Sequence, residues 1–138
     1  MFRIELMPWD KARGHASAIR FKVFVEEQRV PAEIELDAHD EESLHAVVFS
    51  GDSPVATARL LPDGHIGRMA VLKEWRGKGA GALMLTTLMK MAKLLGHHRI
   101  LLSAQTHAVP FYRAHGFTEE GEEYMEAGIP HQDMKRAL

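Results

Sequence analysis

The sequence predicts an α/β fold: a single mixed, mostly antiparallel twisted sheet flanked by helices, with one parallel strand–helix–strand unit. Three observations carry this prediction. Phe2–Met7 alternates apolar and polar residues in the manner of a half-buried strand. Three apolar runs, 44–49, 55–61 and 65–72, are separated by Ser50-Gly51-Asp52-Ser53-Pro54 and Pro62-Asp63-Gly64, which reads as an antiparallel meander. Residues 65–103 then read as strand, covered helix and strand, an arrangement that requires a parallel crossover. The chain has 138 residues, 46% of them apolar. That length suits one domain over 1–138 that buries roughly two thirds of its unfolded surface.

Taken in order, the first strand is broken by Pro8, and Asp10 is placed to cap a helix. Ala12, Ala16, Ile19 and Val23 share one helical face, predicting a helix that ends near Gln28. Pro31 and the acidic residues after it read as a loop. After the meander, a helix is expected over about 79–95, apolar on most sides, with Thr86, Thr87, Lys90 and Lys93 on a narrow polar stripe. Gly96 ends it. Arg99–Ser103 is a short buried strand, and a helix over about 107–115 closes at Gly116. The tail, 117–138, adds two strands around Gly128-Ile129-Pro130.

Composition narrows the chemistry. With no cysteine, disulfides, thiolate metal sites and an acyl-cysteine intermediate are all excluded, and a reducing cytoplasm is the expected location. No apolar run approaches the length of a membrane span, and Arg3 and Glu5 interrupt any secretory leader, so no membrane partner is expected. The net charge of −2 conceals an asymmetry: residues 26–42 hold eight acids against Arg29, whereas residues 70–99 hold six bases against Glu74. One region favours a cation and the other an anion. A basic stripe with interleaved aromatics is absent, which argues against nucleic acid as a partner. The nine histidines lack the spacing that sets two ligands on one helix face, so no metal is expected.

The most informative segment is Arg76-Gly77-Lys78-Gly79-Ala80-Gly81, placed between a strand and a helix. Alternate glycines let the main chain turn its N–H groups toward a ligand, and the helix start and two cations add positive potential. These features predict a phosphate or diphosphate site. The nucleoside-triphosphate loop is excluded because Leu72 stands where its first glycine belongs. The dinucleotide fingerprint is matched loosely, but the next strand ends without the required acid and a meander precedes the loop.

These residues resemble the GNAT superfamily of N-acetyltransferases, whose cofactor motif Gln/Arg-x-x-Gly-x-Gly/Ala is matched by residues 76–81. A second signature of that family is matched by Ala108-Val109-Pro110-Phe111-Tyr112-Arg113-Ala114-His115-Gly116-Phe117. Val23-Phe24-Val25-Glu26-Glu27-Gln28, His45, Leu102-Ser103-Ala104-Gln105 and Gly128-Ile129-Pro130-His131 are similar to its ElaA-like branch. The resemblance implies a transferase, an acyltransferase that uses acetyl-CoA as cosubstrate. The diphosphate would lie on the main chain of Arg76, Gly77, Lys78, Gly79, Ala80 and Gly81, and the pantetheine arm along Met69, Ala70 and Val71. Phe111 and Gln105 complete the expected cofactor residues, with Gln105 standing where many members carry Asn. The strand before the motif and the next one would splay apart, and members are often homodimers.

Direct transfer to an amine needs a neutral amine, a stabilised oxyanion and a proton for the leaving thiolate. Tyr112 aligns with the family's general acid; a phenol with a pKa near 10 stays protonated at neutral pH and can donate to a thiolate whose thiol lies near 8.5. The resemblance implies a main-chain N–H on the strand carrying Val71 as the oxyanion donor. Glu27, four residues beyond Val23, continues the inward helical stripe and is a candidate base or amine anchor; His107, beside the second signature, is another. His45 and His131 rank behind them. The acceptor is expected to be a small-molecule or peptide amine, with the acidic stretch favouring a cationic one. The competing expectation is a non-catalytic acetyl-CoA or CoA sensor that contacts a protein partner.

Overall fold

The computed structural model describes residues 1–35 and 37–138. In chain order its elements are β1 (Phe2–Met7), α1 (Trp9–Arg20), α2 (Ala32–Glu35), β2 (Leu44–Ser50), β3 (Ser53–Leu60), β4 (Ile66–Val71), α3 (Ala80–Leu94), β5 (Arg99–Gln105), α4 (Val109–Ala114), β6 (Thr118–Glu119), β7 (Tyr124–Glu126) and β8 (Ile129–Ala137). Strands β1 to β4 form an antiparallel meander in sequence order, as the turn residues predict. The tail holds three strands rather than two, with β8 pairing antiparallel to β5, β6 and β7.

Strand β2 is buried from His45 to Phe49 on both faces, which is why it reads as a continuous apolar run. On one face Ala46 and Val48 pack with Met84, Leu85 and Leu88 of α3. On the other, Val47 and Phe49 pack with Ala12 of α1. The methionine-rich α3 is therefore core, as its composition predicts.

The first helix departs from expectation twice. Pro8, not Asp10, occupies its N-cap, and Asp10 lies in the first turn, where a carboxylate favours the helix dipole. After Arg20 the helix widens into a π segment, Phe21–Glu27, closed by Gln28 N–H to Val23 O at 3.1 Å. The predicted stripe of Ala12, Ala16, Ile19 and Val23 is buried, but the i→i+5 pairing turns Glu27 away from it.

The two sheets meet at one place among the described residues. A parallel bridge joins His65 to Leu101, supported by Leu101 N–H to Gly64 O at 3.2 Å. Past it no ladder links β4 to β5 among those residues, so the sheet that the sequence predicts as continuous opens there, as the resemblance implies. Beside the opening β4 carries a bulge: Arg68 and Met69 oppose Ala58 alone, between the pairs Arg59–Gly67 and Thr57–Ala70. Arg68 adopts φ +48°, the left-handed region that non-glycine residues rarely enter.

Candidate active site

The opening between β4 and β5 is the floor of a cleft of about 840 Å³, a size suited to an organic ligand. Met69, Ala70 and Val71 line it from β4, Ser103 and Gln105 from β5, and Phe111 and Tyr112 from α4. Arg76, Gly77, Gly79, Ala80 and Gly81 line one end, and His107 lies on the wall. Of the residues predicted for the site, Glu27, Lys78 and the lower-ranked His45 are outside the cleft lining, His45 being buried against Asp40 O at 2.9 Å. Gln28, Trp75, Glu126 and His131 line it as well.

At the glycine-rich end, Gly77 and Gly79 adopt φ +75° and +93°, and a Cβ at either would meet nothing within 4 Å. Their absent side chains therefore serve the backbone turn and leave the surface open. Gly79 caps α3 without any side-chain cap, and the first intrahelical bond there is Leu83 N–H to Gly79 O. The N–H groups of Ala80, Gly81 and Ala82 thus lack intrahelical partners and face an uncapped, positive helix end. Such an end fits a diphosphate. Gly81 serves differently, lying 3.5 Å from the Phe111 ring by its Cβ position.

Arg76 reaches in two directions. Its Nε donates to Val71 O at 2.9 Å, and its terminal nitrogens hold the Glu27 carboxylate at 3.0 and 2.7 Å. Glu27, read in the sequence as an inward carboxylate, is instead the acidic half of an exposed ion pair at the cradle. Gln105 is engaged too: its amide and that of Gln28 exchange hydrogen bonds of 2.8 and 3.1 Å, tying the π segment to β5.

Tyr112 is 9% exposed, and burial pushes its phenol up to about 12, so it is fully protonated at neutral pH. The hydroxyl donates to Met69 Sδ at 3.7 Å, a weak, soft acceptor.

The opposite end of the cleft is built from charged side chains. Arg20, Arg59 and Arg68 interleave with Glu35, Asp37 and Asp40. Arg20 bonds Glu35 and, at 2.8 and 3.0 Å, both Asp40 oxygens. Arg59 holds Asp37 at 2.7 and 2.9 Å and Asp40 at 2.9 Å. Arg68 donates to Glu35 O and Asp37 Oδ2, which anchors the bulge. Burial raises the affinity of Asp37 for its proton, but Arg59 and Arg68 outweigh it and hold the carboxyl at about 2. Asp40 is likewise held low by Arg20 and Arg59 against its burial. Three cations thus balance three anions, and Glu35, Asp37 and Asp40 of the predicted acidic stretch are neutralised at this end. Among the described residues no three His, Asp or Glu side chains converge as a metal site would require.

The sequence model of the acetyltransferase (GNAT) domain family matches residues 12–138. The chain belongs to that family. The Bacillus subtilis N-acetyltransferase YjcF, itself named as uncharacterized, is 43% identical over 122 residues, covering 86% of this chain and 87% of the relative. ElaA of Escherichia coli is 33% identical over 131 residues, covering 87% and 84%. The crystal structure of that ElaA superimposes with a TM-score of 0.86 over 99% of both chains at 30% identity. An acyl-CoA N-acyltransferase from Pseudomonas aeruginosa does so with 0.89, at 29% identity, over 99% of this chain and 100% of that one. As a GNAT acetyltransferase, the chain places its family motif at the uncapped start of α3 and its second signature on α4, across one cleft.

Proposed function

We propose that this protein moves the acetyl group of acetyl-CoA directly to a primary amine, with residues 1–138 acting as one N-acetyltransferase domain. The observation that carries this reading is the pairing of an uncapped, glycine-lined helix start with an open strand edge in the same cleft. The main-chain N–H groups around Gly77 to Gly81 would hold the diphosphate, and the free edge at Met69, Ala70 and Val71 would pair with the pantetheine amides. Acetyl-CoA supplies the activated acyl group. A main-chain N–H of β4, beside the bulge at Arg68 and Met69, would meet the carbonyl oxygen as charge develops.

In this reading Tyr112 gives its proton to the departing thiolate. Among the described residues its hydroxyl has only the methionine sulfur to leave, and turning to a second sulfur costs little. A phenol pushed to about 12 is too weak an acid to lose its proton outright to a thiolate. The transfer is therefore coupled to loss of a proton from the acceptor nitrogen, which restores the phenol. Glu27 serves to hold Arg76 beside the cradle rather than as base.

The test is thiol release from acetyl-CoA with a panel of primary amines, alongside calorimetry with acetyl-CoA. An enzyme shows both binding heat and amine-dependent thiol release. Heat without thiol release from any amine marks a cofactor sensor, and absence of heat removes the reading.

A further inference from the structure

We infer that His131 is the base that receives the acceptor's proton, with Glu126 as the carboxylate that draws in a cationic primary amine; this rests on the acetyltransfer reading above. His131 lines the cleft on β8, directly opposite Gln105 of β5, and is 9% exposed. Its Nδ1 lies 2.7 Å from Ile129 O. A carbonyl oxygen only accepts, so Nδ1 carries the ring proton and the neutral imidazole presents an unprotonated Nε2. That nitrogen stands 3.8 Å from Glu126 Oε2.

The ring is also held in place. Tyr124 stacks on it at 6.0 Å between centroids and 21° between planes. The Tyr124 hydroxyl is fixed by Ser103 and by Asp133 Oδ1 at 2.7 Å. A base fixed in tautomer and orientation is what proton transfer requires. His107, by contrast, is exposed on a short 3-10 turn with no such orienting bond among those described.

The charges around the cleft select the acceptor. Of the acids that line it, Glu35 is held by Arg20, whereas the ion pair that Glu126 makes among the described residues is with His131 alone, at 3.8 Å. The arginines at that end, Arg59 and Arg68, are balanced by Asp37 and Asp40. Glu126 therefore supplies the net negative potential at the mouth, and the matching ligand is an ammonium group.

The step balances as follows. The acceptor enters as R–NH3+ and passes one proton to His131 Nε2. The freed nitrogen pair forms the C–N bond while the carbonyl π pair moves to oxygen. When that pair returns, the C–S bond breaks and sulfur takes the proton of Tyr112. The second nitrogen proton restores the phenol, and the imidazolium releases its proton to solvent.

The titratable and charged groups around His131 are Glu126 and Tyr124 of β7 and Asp133 through Tyr124, with Gln105 of β5 opposite; His107, His65 and Arg68 line the same cleft. The experiment has two arms. Nitrogen-15 correlation spectra of ring-labelled histidine, assigned with His131→Gln, should show the Nδ1–H tautomer near pH 8; an Nε2–H tautomer overturns the inference without any turnover assay. Turnover is then followed with putrescine, tyramine and an N-acetyl-lysine amide. His131→Gln should lower kcat/KM by about 10² or more, with the acid limb of the pH profile lost and calorimetric acetyl-CoA affinity unchanged. Glu126→Gln should raise the amine KM severalfold with kcat nearly constant. A His131→Gln variant that keeps the acid limb overturns the base assignment, and wild-type protein that releases thiol with other amines but with none of these three overturns the cationic acceptor. Loss of acetyl-CoA binding in the wild type instead removes the parent reading.

Discussion

The two ends of the cleft are built by different means. At the start of α3 the polar groups come from main chain: the N–H groups of Ala80, Gly81 and Ala82 have no intrahelical partner, and Gly77 and Gly79 adopt positive φ. At the other end they come from side chains gathered across the sequence, with Arg20 bonded to residues 15 and 20 positions away and Arg59 to Asp37, 22 away. The first end is local in sequence and open to solvent at Gly77 and Gly79. The second is buried and depends on α1, the acidic loop and β3 arriving together. A change of side chain should therefore injure binding at one end and folding at the other.

Arg20→Met should have the largest effect. It leaves Glu35 and Asp40 buried with one cation fewer, which costs about 3–5 kcal/mol in urea unfolding. A loss under 1 kcal/mol would mean that the network contributes little to stability. Tyr112→Phe should reduce turnover by about 10² with acetyl-CoA affinity nearly intact, measured by steady-state kinetics and calorimetry. Gly79→Ala forces a side chain into φ +93°, at about 1–2 kcal/mol, so acetyl-CoA affinity should fall roughly tenfold while the far end is unaffected.

The acid response sharpens the contrast. The folded-state pKa of Asp37, at about 2, lies below its unfolded value near 3.8, and that of Asp40 is lowered as well. Their contribution is complete above about pH 4 and is lost as pH falls toward 2, because protonation then favours the unfolded chain. Urea midpoints should be flat above pH 4 and decline below it, with a shallower decline in Arg59→Met. Glu27→Gln should have the smallest effect: the exposed pair with Arg76 is worth 0–1 kcal/mol, so acetyl-CoA affinity should move less than about threefold.

The same division explains what could be read from the sequence. The meander, the covered α3 and the cradle were legible because alternation, periodicity and glycine spacing are local signals. Phe111 and Tyr112 lie in the second motif and Met69, Ala70 and Val71 on the strand before the first, and all five line the cleft. Glu27 was misplaced because a 3.6-residue period was extended through a segment that widens after Arg20. Nothing in the local pattern marks the π turn. Arg20 itself hides on the apolar face, among Ala16, Ile19 and Val23, and becomes intelligible only beside Glu35 and Asp40. His131 was visible within Gly128-Ile129-Pro130-His131, but its tautomer depends on a carbonyl two residues away and its neighbour Glu126 lies on another strand.

The opening between β4 and β5 has a thermodynamic corollary. Two half-sheets that touch at His65 and Leu101 leave hydrogen-bonding groups without strand partners along the gap. Any molecule that spans those edges acts as an extra strand, and the unfolded chain offers it no equivalent. Folding and occupancy are then linked by mass action: at a hundred times its dissociation constant, such a ligand adds about 2.7 kcal/mol to the native state. The protein should melt higher where acetyl-CoA is abundant, making its lifetime a record of acyl-donor supply.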